Sequence, residues 1–70
     1  MSTEVVDLFI NGERRQTTAV TLADFVAAEN FGDTRVATAL NGIFVPIRDR
    51  AAKQLQPGDR IEILSARQGG

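Results

Sequence analysis

The stretch Thr21-Leu22-Ala23-Asp24-Phe25-Val26-Ala27-Ala28-Glu29-Asn30 lies between two Asn-Gly pairs, Asn11-Gly12 and Asn41-Gly42. Leu22, Phe25 and Val26 share one stripe at helical spacing. Ala23, Ala27 and Ala28 have high helix propensity. Thr21 has the chemistry of an N-cap, and Asp24 stands at the third helical position, where its carboxylate can reach back in a variant capping box. The segment predicts a helix from Leu22 to about Asn30, with Gly32 as its stop.

On the N-terminal side, Val5 to Ile10 is an apolar run broken only by Asp7. Val6, Leu8 and Ile10 share one parity, so the run predicts a strand buried on one face. Asn11-Gly12 follows at once. Both central residues of a type I′ turn need positive φ, which makes Asn-Gly the strongest short hairpin signal. Glu13 to Val20, polar and rich in Thr, predicts the returning edge strand. On the C-terminal side, Val36 to Leu40 predicts a strand, Asn41-Gly42 a second turn, and Ile43-Phe44-Val45 a short return ended by Pro46. Arg48 to Leu55 reads as a loop with a short helical turn. Pro57-Gly58-Asp59 is a turn cluster. Arg60 to Ala66 predicts the last strand, with Ile61 and Ile63 on one face and Glu62, Leu64 and Ala66 on the other.

A helix between two hairpins, followed by a strongly apolar strand, predicts an α+β fold of two layers. The expected arrangement is the ubiquitin-like β-grasp: a mixed sheet with first and last strands parallel in the middle and one helix on one face. The expected division is a domain over residues 1–66 and a flexible tail over 67–70.

Composition removes most chemistry. The 70-residue chain has no Cys, His, Trp or Tyr. Disulfides, thiolate metal sites and the commonest general base are therefore excluded. The Ser residues are Ser2 and Ser65, with no base beside either in sequence. The glycines make no phosphate-binding loop. Asp49, Asp59 and Glu62 read as surface carboxylates. A net charge of −1 gives no basic field for nucleic acid. The charge is divided, −3 over residues 1–32 and +2 over 33–70, which can orient a partner. No apolar run approaches the roughly 20 residues of a membrane span, and no signal peptide is visible. The expectation is a cytoplasmic protein that is not an enzyme.

The remaining feature is the end, Arg67-Gln68-Gly69-Gly70. Two residues without Cβ can thread a narrow channel and leave the terminal carboxylate carbon unhindered. Extended chain from Ala66 to Gly70 spans about 13 Å, enough to carry that carboxylate into another protein's active site. Strand parity adds a recognition surface: Glu62, Leu64 and Ala66 on the open face, joined by Ile43, Phe44 or Ile47.

From Val36 onward the sequence resembles the thiamine-biosynthesis sulfur-carrier (ThiS) family. The resemblance rests on Val36-Ala37-Thr38-Ala39-Leu40-Asn41-Gly42-Ile43-Phe44-Val45-Pro46, on Leu55, on Gly58-Asp59-Arg60-Ile61-Glu62-Ile63-Leu64, and on Gly69-Gly70. Three positions depart from the family pattern. Ile47 stands where Arg is frequent, Arg50 where an aromatic is frequent, and Thr38 where an aliphatic is usual. The resemblance implies that a ThiF-like adenylyltransferase uses ATP and Mg to activate the Gly70 carboxylate. Sulfur from a cysteine-desulfurase relay then gives a thiocarboxylate, which a ThiG-like thiazole synthase consumes. The carrier itself would bind no cofactor or metal, and would be a monomer when free. Gln68 and Gly69 would serve as tail, and Arg67 as a guiding charge. The alternatives are another β-grasp sulfur carrier (the molybdopterin synthase small subunit or a tRNA-thiolation carrier), a ubiquitin-like protein modifier, or a plain interaction module.

Overall fold

A computed structural model describes residues 4–29, 31 and 35–65. Strand β1 (Val6–Ile10) turns into β2 (Glu13–Thr17), helix α1 (Leu22–Glu29) follows, then β3 (Val36–Leu40), β4 (Ile43–Val45), a 3₁₀ turn (Ile47–Ala52) and β5 (Arg60–Ser65). The sheet order is β2-β1-β5-β3-β4. β1 and β5 run parallel, and the other neighbours are antiparallel. This is the β-grasp expected from the element order.

Both hairpins turn as their sequences require. Asn11 and Gly12 have φ of 51° and 87°, and Asn41 and Gly42 have 52° and 86°, the type I′ signature. Each Asn does more than turn the chain. The Asn11 Nδ2 donates to Ile63 O at 3.2 Å, and the Ile63 N–H donates to Asn11 Oδ1 at 2.9 Å. The Arg60 N–H donates to Asn41 Oδ1 at 2.9 Å, and Asn41 Nδ2 donates to Asp59 Oδ1 at 3.0 Å. The two turns therefore clasp β5 from both sides, and the Asn11 amide extends the short parallel pairing of Phe9–Ile10 with Arg60–Ile61. Asn11→Gly keeps the turn conformation and removes both side-chain bonds. It should cost about 1–3 kcal/mol at ~1 kcal/mol per bond, read as a lower urea midpoint; an unchanged midpoint would show that the amide contributes nothing.

The capping box at the helix start is formed. The Asp24 N–H donates to Thr21 Oγ1 at 3.1 Å, and the Thr21 N–H donates to Asp24 Oδ2 at 3.3 Å. Leu22 and Phe25 are buried against Leu8, Ile10, Val45, Leu55, Ile61 and Ile63, with Val26 and Phe31 packed at the edge. Chain 53–55 lies along the helix start: the Leu22 N–H donates to Lys53 O and the Leu55 N–H to Val20 O, both at 2.9 Å.

Boundaries differ from the sequence reading at β2 and at the turn after Pro46. β2 stops at Thr17 rather than Val20, because the Thr17 Oγ1 accepts the Ala19 N–H at 3.0 Å and bends the chain out of the ladder. The short helical turn expected within Arg48 to Leu55 is a 3₁₀ helix that starts one residue earlier, Ile47–Ala52, opened by an Asp49 N–H to Pro46 O bond of 2.9 Å. β5 is described as far as Ser65. Asn30, Gly32, Ala66 and the tail residues lie outside the described residues.

Candidate functional site

The face of the sheet opposite α1 divides into two halves. Registers put Arg14 beside Phe9 and Gln16 beside Asp7 on the β2–β1 side. That half is polar: Gln16 Nε2 donates to Asp7 Oδ1 at 3.0 Å, and Arg14 lies 3.6 Å from the Asp7 carboxylate. Across β5, β3 and β4 the character changes. Leu64 pairs with Ala37, Glu62 with Ala39, and Ala39 with Phe44. Leu64 and Phe44 are 68% and 66% exposed, although large apolar side chains are normally covered. The two alanines between them are small, so the surface forms a trough with Leu64 on one bank and Phe44 on the other. Ile47, 71% exposed at the start of the 3₁₀ turn, extends the Phe44 bank.

Of the residues expected on this surface, Glu62, Leu64 and Phe44 share the open face by register. Ile43 does not. It pairs with Leu40 and has the parity of buried Val45, so it is exposed at the hairpin end on the helix side of the sheet. The parity of a three-residue return strand decides this, and an apolar count over Ile43-Phe44-Val45 cannot. Ala66, Arg67, Gln68, Gly69 and Gly70 lie outside the described residues. The base from which they continue is placed: Ser65, at the end of β5, pairs with Val36.

Two residues matter here that composition alone hides. Arg50 is buried, 8% exposed, and Thr38 is buried at 1%. The Arg50 Nε donates to Thr38 Oγ1 at 3.0 Å, Arg50 Nη2 donates to Val36 O at 2.7 Å, and the Thr38 hydroxyl donates to Val45 O at 2.9 Å. The departures from the family pattern at 38 and 50 are thus one hydrogen-bonded unit. It ties the 3₁₀ turn to β3 and β4, at the strand pair where β5 ends. The signal in the sequence was the coincidence: two polar residues at two usually apolar positions satisfy each other.

Among the described residues no group of three or more acidic side chains is placed to hold a metal ion. Asp59 is engaged in structure, with Oδ2 accepting the Gln56 N–H at 2.8 Å and Oδ1 accepting from Asn41. No helix among the described residues is long and apolar enough to cross a membrane.

Comparison with known proteins agrees with this geometry. No curated protein matches the chain. Among solved structures, a thiamine biosynthesis protein (ThiS) from Geobacter metallireducens has the same fold, with a TM-score of 0.77 at 22% identity over 93% of this chain and 100% of that one. The ThiS family model matches residues 8–70, from the first buried residue of β1 to the terminal glycine. With that match across nearly the whole length, the chain belongs to the ThiS family of thiamine-biosynthesis sulfur carriers.

Proposed function

We propose that the protein carries sulfur as a thiocarboxylate on Gly70 and is a co-substrate rather than a catalyst. The family match that runs through Gly69-Gly70 carries this reading. A ThiF-like adenylyltransferase docks on the open face and draws the tail into its ATP site. Transfer of AMP from Mg-ATP to the Gly70 carboxylate releases pyrophosphate and makes the carbonyl carbon an electrophile. The terminal sulfur of a persulfide on a cysteine-desulfurase relay attacks that carbon and AMP departs; a second thiol then attacks the relay cysteine's sulfur, breaking the S–S bond, forming a disulfide and releasing the thiocarboxylate. The resulting thiocarboxylate sulfur is a stronger nucleophile than a carboxylate oxygen, and a ThiG-like thiazole synthase accepts it.

The division of labour has a physical basis. The folded body supplies a rigid, partly apolar face for recognition, and the residues after Ser65 supply reach. Polar contacts on the β2–β1 half leave the β5–β3–β4 half as the apolar patch that a partner would dehydrate. Arg67 would then guide the tail as a rim charge.

Leu64→Glu tests the docking face. With most of its surface already in water, the new side chain leaves the fold intact. A charge in the centre of a dehydrated patch should raise the KM for the carrier in ATP–pyrophosphate exchange by about tenfold or more, with kcat nearly unchanged. Normal adenylation of a folded Leu64→Glu chain would remove the patch from the account.

A further inference from the structure

Arg50 is a buried cation with no counter-ion among the described residues. Among the described residues the ion pairs are Arg14–Asp7 and Arg15–Glu29, so neither Arg50 nor the exposed Arg48 has one. Withdrawing a guanidinium from water is costly unless an anion or a full set of acceptors replaces the solvent. Two of its nitrogens are satisfied, Nε by Thr38 Oγ1 and Nη2 by Val36 O. Nη1 makes no such bond, yet no buried side-chain nitrogen lacks a partner among the described residues. Nη1 is therefore the edge that reaches solvent. Arg50 lines an open cleft of about 490 Å³ whose other walls include Ala37, Phe44, Pro46, Ile47 and Arg48. Ala37 and Phe44 also belong to the open face, so the cleft is continuous with the apolar trough.

Three other concavities among the described residues lack this combination, the one between the two hairpin turns because Glu62 stands in its wall beside Arg60. The one beside the end of β5 contains Arg15, already neutralised by Glu29 at 2.6 Å. The one formed by Val6, Val20 and Leu55 has no cation in its wall.

We infer that the cleft between β3, β4 and the 3₁₀ turn is a carboxylate-receiving subsite, and that its occupant is an Asp or Glu side chain of the activating enzyme. The inference rests on the docking role proposed above and names the chemistry of that contact. Charge complementarity argues for an acid: one guanidinium edge that reaches solvent, a second arginine at the rim, and no acidic side chain among the described residues of the wall. The apolar walls argue for a carboxylate borne on a methylene stem. A small free anion would meet a single guanidinium edge and hydrocarbon, too few donors to hold it in water. A carboxylate delivered by a protein that already covers Phe44 and Ile47 needs no more. Thr38 is then a positioning residue, since its hydroxyl fixes the plane of the guanidinium and so the direction of Nη1.

The test uses the full chain and the adenylating enzyme of the same organism. In Thr38→Val/Arg50→Met both members of the polar pair become apolar at similar volume, so neither side chain is left unpaired; the domain keeps its fold although the Val36 and Val45 carbonyls each lose one side-chain donor. The expected result is a variant with native circular dichroism, binding about 30-fold weaker, and adenylation at an unchanged kcat once saturated. Its affinity should also depend less on salt than that of the wild type. A folded double variant that binds within about twofold of wild type overturns the subsite. A second measurement needs no substitution. In ¹⁵N-labelled wild type, adding the enzyme should shift the Arg50 guanidinium resonances and slow their proton exchange, whereas unchanged signals in the bound state overturn the proposal. A wild-type chain that the enzyme neither binds nor adenylates would refute the sulfur-carrier reading itself. A wild type that is charged normally, beside a double variant of equal affinity, refutes the Arg50 subsite alone.

Discussion

Deletion of Gly70 abolishes charging of the protein with nucleotide and sulfur while its thermal unfolding stays that of the full chain. The reasoning is geometric. The truncated chain still ends in a glycine carboxylate, now that of Gly69, so the chemical group is unchanged. Its position relative to the docked body is short by one residue, about 3.3 Å of extended chain. Misplacement of a reacting atom by about 1 Å already costs on the order of 10²-fold, so a shift several times larger should leave no measurable rate. An appended residue beyond Gly70 overshoots by the same distance and adds a side chain to a channel suited to glycine. Both variants keep every described contact of the body, so loss of activity with an unchanged melting curve reports the reach of the tail. Undiminished adenylation of either variant would show that the reacting group is elsewhere.

Phe25→Ala unfolds the domain. Phe25 is 1% exposed and is the largest fully buried side chain in the core. Removing a buried Phe costs about 3–5 kcal/mol, from lost transfer free energy and the cavity left behind. A domain of this length has a net stability of only about 3–5 kcal/mol, so the two quantities nearly cancel. With no disulfide to assist, the variant should show largely lost circular dichroism at 25 °C, or a urea transition displaced close to zero denaturant. Phe44→Ala is the control. Phe44 is exposed on the open face, and its truncation should change stability by no more than about 0.5 kcal/mol. Equal effects at the two positions would contradict the assignment of Phe25 to the core and Phe44 to the surface.

The elements that were legible are those fixed by local chemistry. Asn-Gly specifies a type I′ turn through two positive φ values, and both turns formed where the pairs stand. Thr21 and Asp24 specify a helix start because each satisfies the other's backbone N–H. Alternation in Val6–Ile10 and Arg60–Ser65 placed Leu8, Ile10, Ile61 and Ile63 in the core and Leu64 outside it. What could not be read depends either on local chemistry that suits two outcomes or on partners distant in sequence. The end of β2 is set by the Thr17 hydroxyl, which equally suits a strand interior. The 3₁₀ turn Ile47–Ala52 has too short a repeat to show a period. An arginine reads as a surface residue, and Arg50 becomes intelligible only with Thr38, twelve positions earlier, beside it. The second role of Asn11 is likewise invisible locally, since its amide bonds to Ile63, 52 positions away. For the candidate site, the open-face positions of Leu64 and Glu62 followed from parity, whereas Phe44 was separated from Ile43 only by the β3–β4 register. The tail residues belong to 66–70, outside the described residues.

The central claim is that the last main-chain carboxylate is where sulfur is loaded. It is tested most directly by intact mass spectrometry of the full chain after incubation with Mg-ATP, the adenylating enzyme, a persulfide sulfur source and a thiol reductant. The account predicts a species with one oxygen replaced by sulfur, localised by fragmentation to Gly70 and absent when ATP is omitted. A chain that emerges with its mass unaltered, or joined through its terminus to a lysine of another protein, would contradict it.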